Sequence, residues 1–147
     1  MTMHWRLFMP KIDHDRVLAA IRAAEARTSG EIRVLIARHK AADPVAAAQA
    51  YFEQLGMANS SHRNGVLIFL APLSRRFAVI GDSGVHEKCG DAFWSDLAKA
   101  MGDHFRRKAF TDGLVHGIER AGELLARTFP RSPGDAPAGA PEASEVG

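Results

Sequence analysis

Two adjoining runs decide how this chain folds: Arg63-Asn64-Gly65-Val66-Leu67-Ile68-Phe69-Leu70-Ala71-Pro72 and Arg76-Phe77-Ala78-Val79-Ile80-Gly81-Asp82-Ser83-Gly84. Both are apolar and rich in β-branched or aromatic residues, and only Leu73-Ser74-Arg75 separates them, which is the signature of a buried hairpin. The second run ends in a polar stretch punctuated by glycines. Chemistry is expected there.

Working outward, Glu31 to Ala37 reads as another strand, and Asp43-Pro44 opens a helix whose buried face would be Val45, Ala48, Phe52 and Leu55. Further upstream, Asp13 caps a first helix, with Ile12 and Val17 as staple, Val17, Leu18, Ile21 and Ala24 as apolar stripe, and Gly30 as its end. Downstream, Asp91 is expected to cap a third helix carrying Phe93, Trp94, Leu97, Met101 and Phe105. Thr111 is expected to cap a fourth carrying Leu114, Val115, Ile118, Leu125 and Phe129. At helical spacing these stripes are core. The element order predicts an α/β protein, a three-layer α/β/α sandwich. Its mixed sheet has a parallel βαβ crossover, then an antiparallel hairpin and two C-terminal helices. In that topology Glu31, Arg63-Asn64 and Asp82 share one sheet edge, and Arg75 and Arg76 lie at the other end.

The 147 residues, 46% of them hydrophobic, suit one domain over residues 11–132. Residues 1–10 read as an N-terminal arm, in which Trp5, Leu7 and Phe8 precede the first cap without periodicity and would dock or meet a partner. Residues 133–147 read as a disordered Pro/Ala/Gly-rich acidic tail, too poor in apolar surface to offset chain entropy. That tail holds Asp135, Glu142 and Glu145 but no Lys or Arg, so the preceding residues carry 19 basic and 14 acidic side chains. The excess is moderate and unclustered, which disfavours nucleic acid as a partner. The single cysteine, Cys89, excludes an intrachain disulfide framework, and no stretch resembles a signal peptide or membrane span. A soluble, cytoplasmic protein is the expectation.

Asp82 is the one acid in a suggestive place. A loop Asp can act as nucleophile or general base toward a phosphate ester, with His62, Arg63 and the N–H groups around Ser83 and Gly84 holding phosphate oxygens. The local chemistry favours a plain turn, because Asp and Ser bond nearby backbone N–H groups and Gly supplies positive φ. The tetrapeptide Gly81-Asp82-Ser83-Gly84 is similar to the nucleophile segment of trypsin-like proteases. The helix-rich pattern and short chain exclude that fold, and a triad is recognised by geometry. His86 and Cys89 are two ligands where zinc needs three or four. Arg106-Arg107-Lys108 reads as a solvated turn.

Thr28-Ser29-Gly30-Glu31-Ile32-Arg33-Val34-Leu35, then Asn64-Gly65-Val66-Leu67, then Ile80-Gly81-Asp82-Ser83-Gly84-Val85, then Gly113 in a final helix, together resemble the TPM domain family. The resemblance spans roughly residues 13–129. That family includes thylakoid-lumen proteins linked to photosystem repair, a receptor-modulating membrane protein and many bacterial proteins. The resemblance implies an α/β/α sandwich and, for some members, acid-phosphatase activity or calcium binding. Two departures matter. Many members carry an acidic residue just before Asn-Gly-Val-Leu, where this chain has Arg63, and many show Gly-aromatic-Gly where this chain has Gly81-Asp82-Ser83-Gly84. Calcium takes about 6–8 oxygen ligands, and the inferred edge offers Glu31, Asp82 and Asp91 with Asn64, Ser83 and carbonyls, a thin set for calcium or magnesium. Arg63 would instead pair with Asp82, since guanidinium matches carboxylate. Two expectations follow. The first is a non-catalytic TPM-like binding or accessory module for a protein partner in a membrane-linked or maintenance complex. The second is a weak phosphatase acting on phosphomonoesters through the Asp82 segment, oriented by Arg63 and Asn64.

Overall fold

A computed structural model of the chain describes residues 10–60, 62–134 and 142–146. The expected arm therefore lies outside the described residues, apart from Pro10. In chain order the elements are α1 (His14–Glu25), β1 (Glu31–Ala37), α2 (Pro44–Gln54), β2 (Gly65–Ala71), β3 (Arg76–Gly81), α3 (Ser83–Arg106), α4 (Phe110–Thr128) and β4 (Glu142–Val146), with short 3-10 turns at Met57–Asn59 and Pro72–Ser74.

The sheet order is β3-β2-β1-β4. Strand β1 runs parallel to β2, with Glu31 opposite Gly65, and β2 runs antiparallel to β3, with Val66 opposite Gly81. The period-2 alternation of strands sends successive side chains to opposite faces. Val66, Ile68 and Leu70 join Val34 and Ile36 in a core with Val17, Ile21, Met101, Leu114, Ile118 and Leu125 of α1, α3 and α4. Leu67, Phe69 and Ala71 join Leu35 and Ala37 in a second core with Ala48 and Phe52 of α2. The three layers follow from that division, because each face of a sheet buried on both sides must carry its own apolar set.

Several local expectations are corrected. The tail is not wholly irregular: Glu142–Val146 pairs parallel with the open edge of β1, and the N–H of Arg38 donates to the Val146 carbonyl at 2.7 Å. Composition hides this strand because an unpaired strand edge supplies the partner groups. Only Ala143 and Val146 add apolar contact. Helix α1 ends at Glu25 rather than at Gly30. Gly30 is needed for close approach, since a Cβ there would lie 3.0 Å from the Asn64 carbonyl oxygen and 3.1 Å from Leu125 Cδ1. Val45, expected to be buried, is 48% exposed because α2 closes on the sheet through Ala48 and Phe52. Thr111 does not cap α4, whose cap is Ala109; its hydroxyl accepts instead from the N–H of Asp13. The span α3 is two helical stretches divided at Gly90, which is non-helical at φ 72°: the one expected from Asp91, carrying Phe93, Trp94, Leu97, Met101 and Phe105, is preceded by an unexpected one that begins at Ser83 behind the Asp82 cap.

Candidate functional site

The strand register gathers Glu31, Asn64 and Asp82 at one edge of the sheet. Here the sequence expectation of a loop at Gly81 to Gly84 gives way to a direct strand-to-helix junction. Strand β3 ends at Gly81, Asp82 is the N-cap, and α3 begins at Ser83. The Asp82 N–H donates to the Gly65 carbonyl at 2.9 Å, which ties the junction to the start of β2. Its carboxylate Oδ1 accepts from the Ser83 N–H at 2.7 Å, and its carbonyl accepts from Val85 and His86 at 2.9 and 3.1 Å. A capping carboxylate satisfies an otherwise orphaned amide and meets the positive end of the helix dipole.

Arg63 completes this junction. It sits at φ 52°, in the left-handed region, and its Nε lies 3.2 Å from Asp82 Oδ2. The Nε–H donates to Oδ1 at 3.3 Å, so Oδ2 is held by charge and has no hydrogen bond of its own. The Asp82 side chain is 6% exposed and that of Arg63 is 52% exposed, so the pair reaches from the interior to the surface. Gly84 permits the approach. A Cβ there would lie 2.6 Å from the carbonyl oxygens of both His62 and Arg63.

The neighbouring groups are spent on structure in the same way. Asn64 is buried, and its Nδ2 donates to Ser29 Oγ at 3.2 Å. Thr28 is fully buried; its hydroxyl bonds the Leu125 and Phe129 carbonyls and accepts from the Gly30 N–H at 3.0 Å. Glu31 pairs with Arg33 at 3.2 Å, and Arg33 also reaches Glu142 of β4 at 3.2 Å. Glu25, which sequence reasoning missed, is buried at the end of α1 and accepts from the Ile32 N–H at 3.0 Å. Burial pushes its carboxyl above the ordinary range. The available signal was a lone acid on the apolar stripe of α1, four residues after Ile21.

The structure therefore brings Arg63, Asn64, Asp82, Ser83 and Gly84 together, with the His62 backbone against Gly84 and the residues His62 and Ser83 exposed, whereas Asp91 is exposed beyond the Gly90 kink. Among the described residues no three His, Cys, Asp or Glu side chains converge as a metal site. With Glu31 held by Arg33 and Asp82 by Arg63, the expected donors do not fit calcium or magnesium as they stand. Cys89 is half-buried, and burial pushes its thiol up, which opposes the thiolate that a reactive cysteine needs. Among the described residues no helix is long and apolar enough to cross a membrane.

The family model of the TPM domain matches residues 8–124. The chain belongs to the TPM domain family. A solved structure agrees: the BA42 protein from the psychrophilic bacterium Bizionia argentinensis is 34% identical, with a TM-score of 0.79 over 90% of this chain and 94% of that one. Two more distant structures share the TPM fold. The N-terminal domain of the cg2496 protein from Corynebacterium glutamicum is 19% identical, with a TM-score of 0.60 over 76% of this chain and 70% of that one. The N-terminal domain of a P. gingivalis protein is 22% identical, with a TM-score of 0.58 over 79% and 73%. No match was found among curated proteins.

Proposed function

We propose that this TPM domain is a non-catalytic binding or accessory module, acting in the cytoplasm with a protein partner in a membrane-linked or maintenance complex. The observation that carries this reading is the state of Asp82. Its carboxylate is 6% exposed, caps α3 and faces Arg63. A nucleophile or general base must reach the reacting atom within hydrogen-bond distance, and this one is turned inward onto its own helix. A helix N-terminus is also a natural place for a phosphate, and here a side-chain carboxylate already occupies it.

The test is hydrolysis of a generic phosphomonoester by the wild type and by Asp82→Asn, from acid to neutral pH, with calcium, magnesium or chelator. The expected result is no turnover above buffer in either protein. Turnover that disappears in Asp82→Asn would overturn the reading and make the protein a phosphatase centred on the sheet edge. Equal turnover in both would also overturn it, and would move the chemistry away from Asp82.

A further inference from the structure

The opposite end of the sheet carries a different kind of surface. A cavity of about 770 Å³ opens there, and five of its lining residues are Lys11, Arg75, Arg76, Arg106 and Lys108, with no acid among the described residues that line it. The cations come from four separate parts of the chain: the segment before α1, the β2–β3 turn with the first residue of β3, the last turn of α3 and the α3–α4 connection. Arg76 donates to the Ala42 carbonyl at 2.8 Å, and Arg106 pairs with Asp103. Lys11, Arg75 and Lys108 make no ion pair among the described residues. These three cations, gathered without counter-charge, repel one another, and an anion relieves that cost.

The floor is aromatic. Phe77 and Phe105 meet edge to face at 5.0 Å between centroids, and Phe105 stacks on Phe110 at 5.8 Å. Helix α4 begins at Phe110 behind Ala109, which offers no side-chain acceptor, and the acid of its first turn, Asp112, is paired with Arg16 at 2.9 Å, so the first-turn amides are left without a capping side chain at this end.

We propose that this cavity is a binding site for a small organic phosphate or comparable oxyanion that carries an aromatic ring. The ring would lie against Phe77, Phe105 and Phe110, and the oxyanion would meet Arg75, Arg106 and Lys108. Arginine supplies the planar, multi-donor recognition that phosphate favours. The volume falls within the roughly 300–1,000 Å³ of small-molecule sites, which combine an apolar lining with a few polar anchors. Two other occupants fit less well. The chain's own first nine residues contain Arg6 and no acid, so whatever Trp5, Leu7 and Phe8 meet, they supply no counter-charge to the rim. A bilayer calls for protruding apolar side chains, whereas the three phenylalanines are half-buried in the cavity and Val45 is the one exposed large hydrophobic among the described residues. The site lies away from Asp82, so the inference stands whether or not the sheet edge is catalytic.

The test is isothermal titration of the full chain with naphthylmethylphosphonate, whose carbon–phosphorus bond removes hydrolysis from the readout. Inorganic phosphate and anionic phospholipid vesicles form the comparison arms. Saturable 1:1 binding is expected, tighter than for inorganic phosphate and weakened about tenfold by Arg75→Gln, the typical effect of losing a charged hydrogen bond, and by less for Arg106→Gln, whose guanidinium is shared with Asp103. Arg120→Gln, which removes an exposed charge paired with Glu123 on α4, should leave affinity unchanged. Absence of saturable binding would overturn the proposal, as would equal weakening by Arg120→Gln. Binding to vesicles without binding to the phosphonate would overturn it in favour of a membrane surface. Circular dichroism of each variant confirms folding, and both arginines are exposed, so a folded variant with unchanged affinity would also count against the site.

Discussion

Alanine is expected to have opposite effects at two glycines of α3, Gly84 and Gly102, because packing opposes helix propensity at the first and permits it at the second. In a helix interior Ala is favoured over Gly by about 1 kcal/mol, and somewhat less in the first turn. At Gly84 this gain meets an obstruction, because the new Cβ would lie 2.6 Å from two backbone carbonyl oxygens, those of His62 and Arg63. Neither is the end of a flexible side chain. Relief requires the first turn of α3 to move off the 62–63 segment, which lengthens the Arg63–Asp82 contact and strains the bond from the Asp82 N–H to the Gly65 carbonyl. Overpacking of this kind costs about 1–3 kcal/mol, so Gly84→Ala should lose roughly 1–2 kcal/mol net. At Gly102 the nearest atom to a new Cβ is Arg106 Nη1 at 3.4 Å, and that side chain is 69% exposed and free to swing. Gly102→Ala should therefore keep most of its gain of about 1 kcal/mol. Urea denaturation followed by circular dichroism measures both. If Gly84→Ala proved as stable as the wild type, or Gly102→Ala the less stable of the two, the close-approach account of this junction would be wrong.

Two further predictions concern charge at the same edge. Burial raises the carboxyl of Glu25; Glu31 adds to the rise, while the Ile32 N–H, Arg33 and Arg131 oppose it. The folded state thus takes up this proton at higher pH than the unfolded chain, so the wild type should gain stability relative to Glu25→Gln as pH falls through the folded pKa, with the gain complete below the ordinary value of 4.5. Denaturation of both proteins between neutral pH and pH 4 checks this, and a flat or inverted difference refutes it. Arg63→Asp would place a second carboxylate beside Asp82. Calcium should then stabilise the variant, by ~2.7 kcal/mol at a hundredfold excess over Kd, and leave the parent unmoved; a melting temperature of the variant indifferent to calcium would contradict the idea that the Arg63 charge stands in for a cation.

What the sequence made legible was whatever rests on local pattern. The runs 65–71 and 76–81 are apolar, short and separated by a turn, so their pairing needed no tertiary knowledge, and topology then placed Glu31, Asn64 and Asp82 at one edge. Arg63 and Asp82 were legible as partners because opposite charges had been assigned to adjacent strand ends. Three things were hidden because their causes are non-local. Strand β4 exists because β1 has an open edge, a property of the sheet rather than of Glu142–Val146. The burial of Glu25 depends on the Ile32 amide seven residues away. The helical stretch at Ser83, ahead of the one expected from Asp91, depends on Asp82, whose N–H is tied to the Gly65 carbonyl of β2 where β3 ends.

The cationic cavity was hidden for a related reason. Arg106 and Lys108 read as solvent-facing charges in their own segment, and Arg75 and Arg76 as the close of a hairpin. Only the tertiary fold sets them around the same three rings. The two ends of the sheet then differ in what their charges are committed to. At the Asp82 end the ionic groups are consumed internally: Arg63 by Asp82, and Arg33 by Glu31 and Glu142. At the Arg75 end Lys11, Arg75 and Lys108 have no acidic partner among the described residues. A charge already satisfied within the fold has little differential energy left for a ligand, whereas an unpaired one beside an apolar floor gains from binding. That asymmetry is the physical ground for seeking a ligand at the hairpin end, and for assigning the residues at the other end to holding α3 in place.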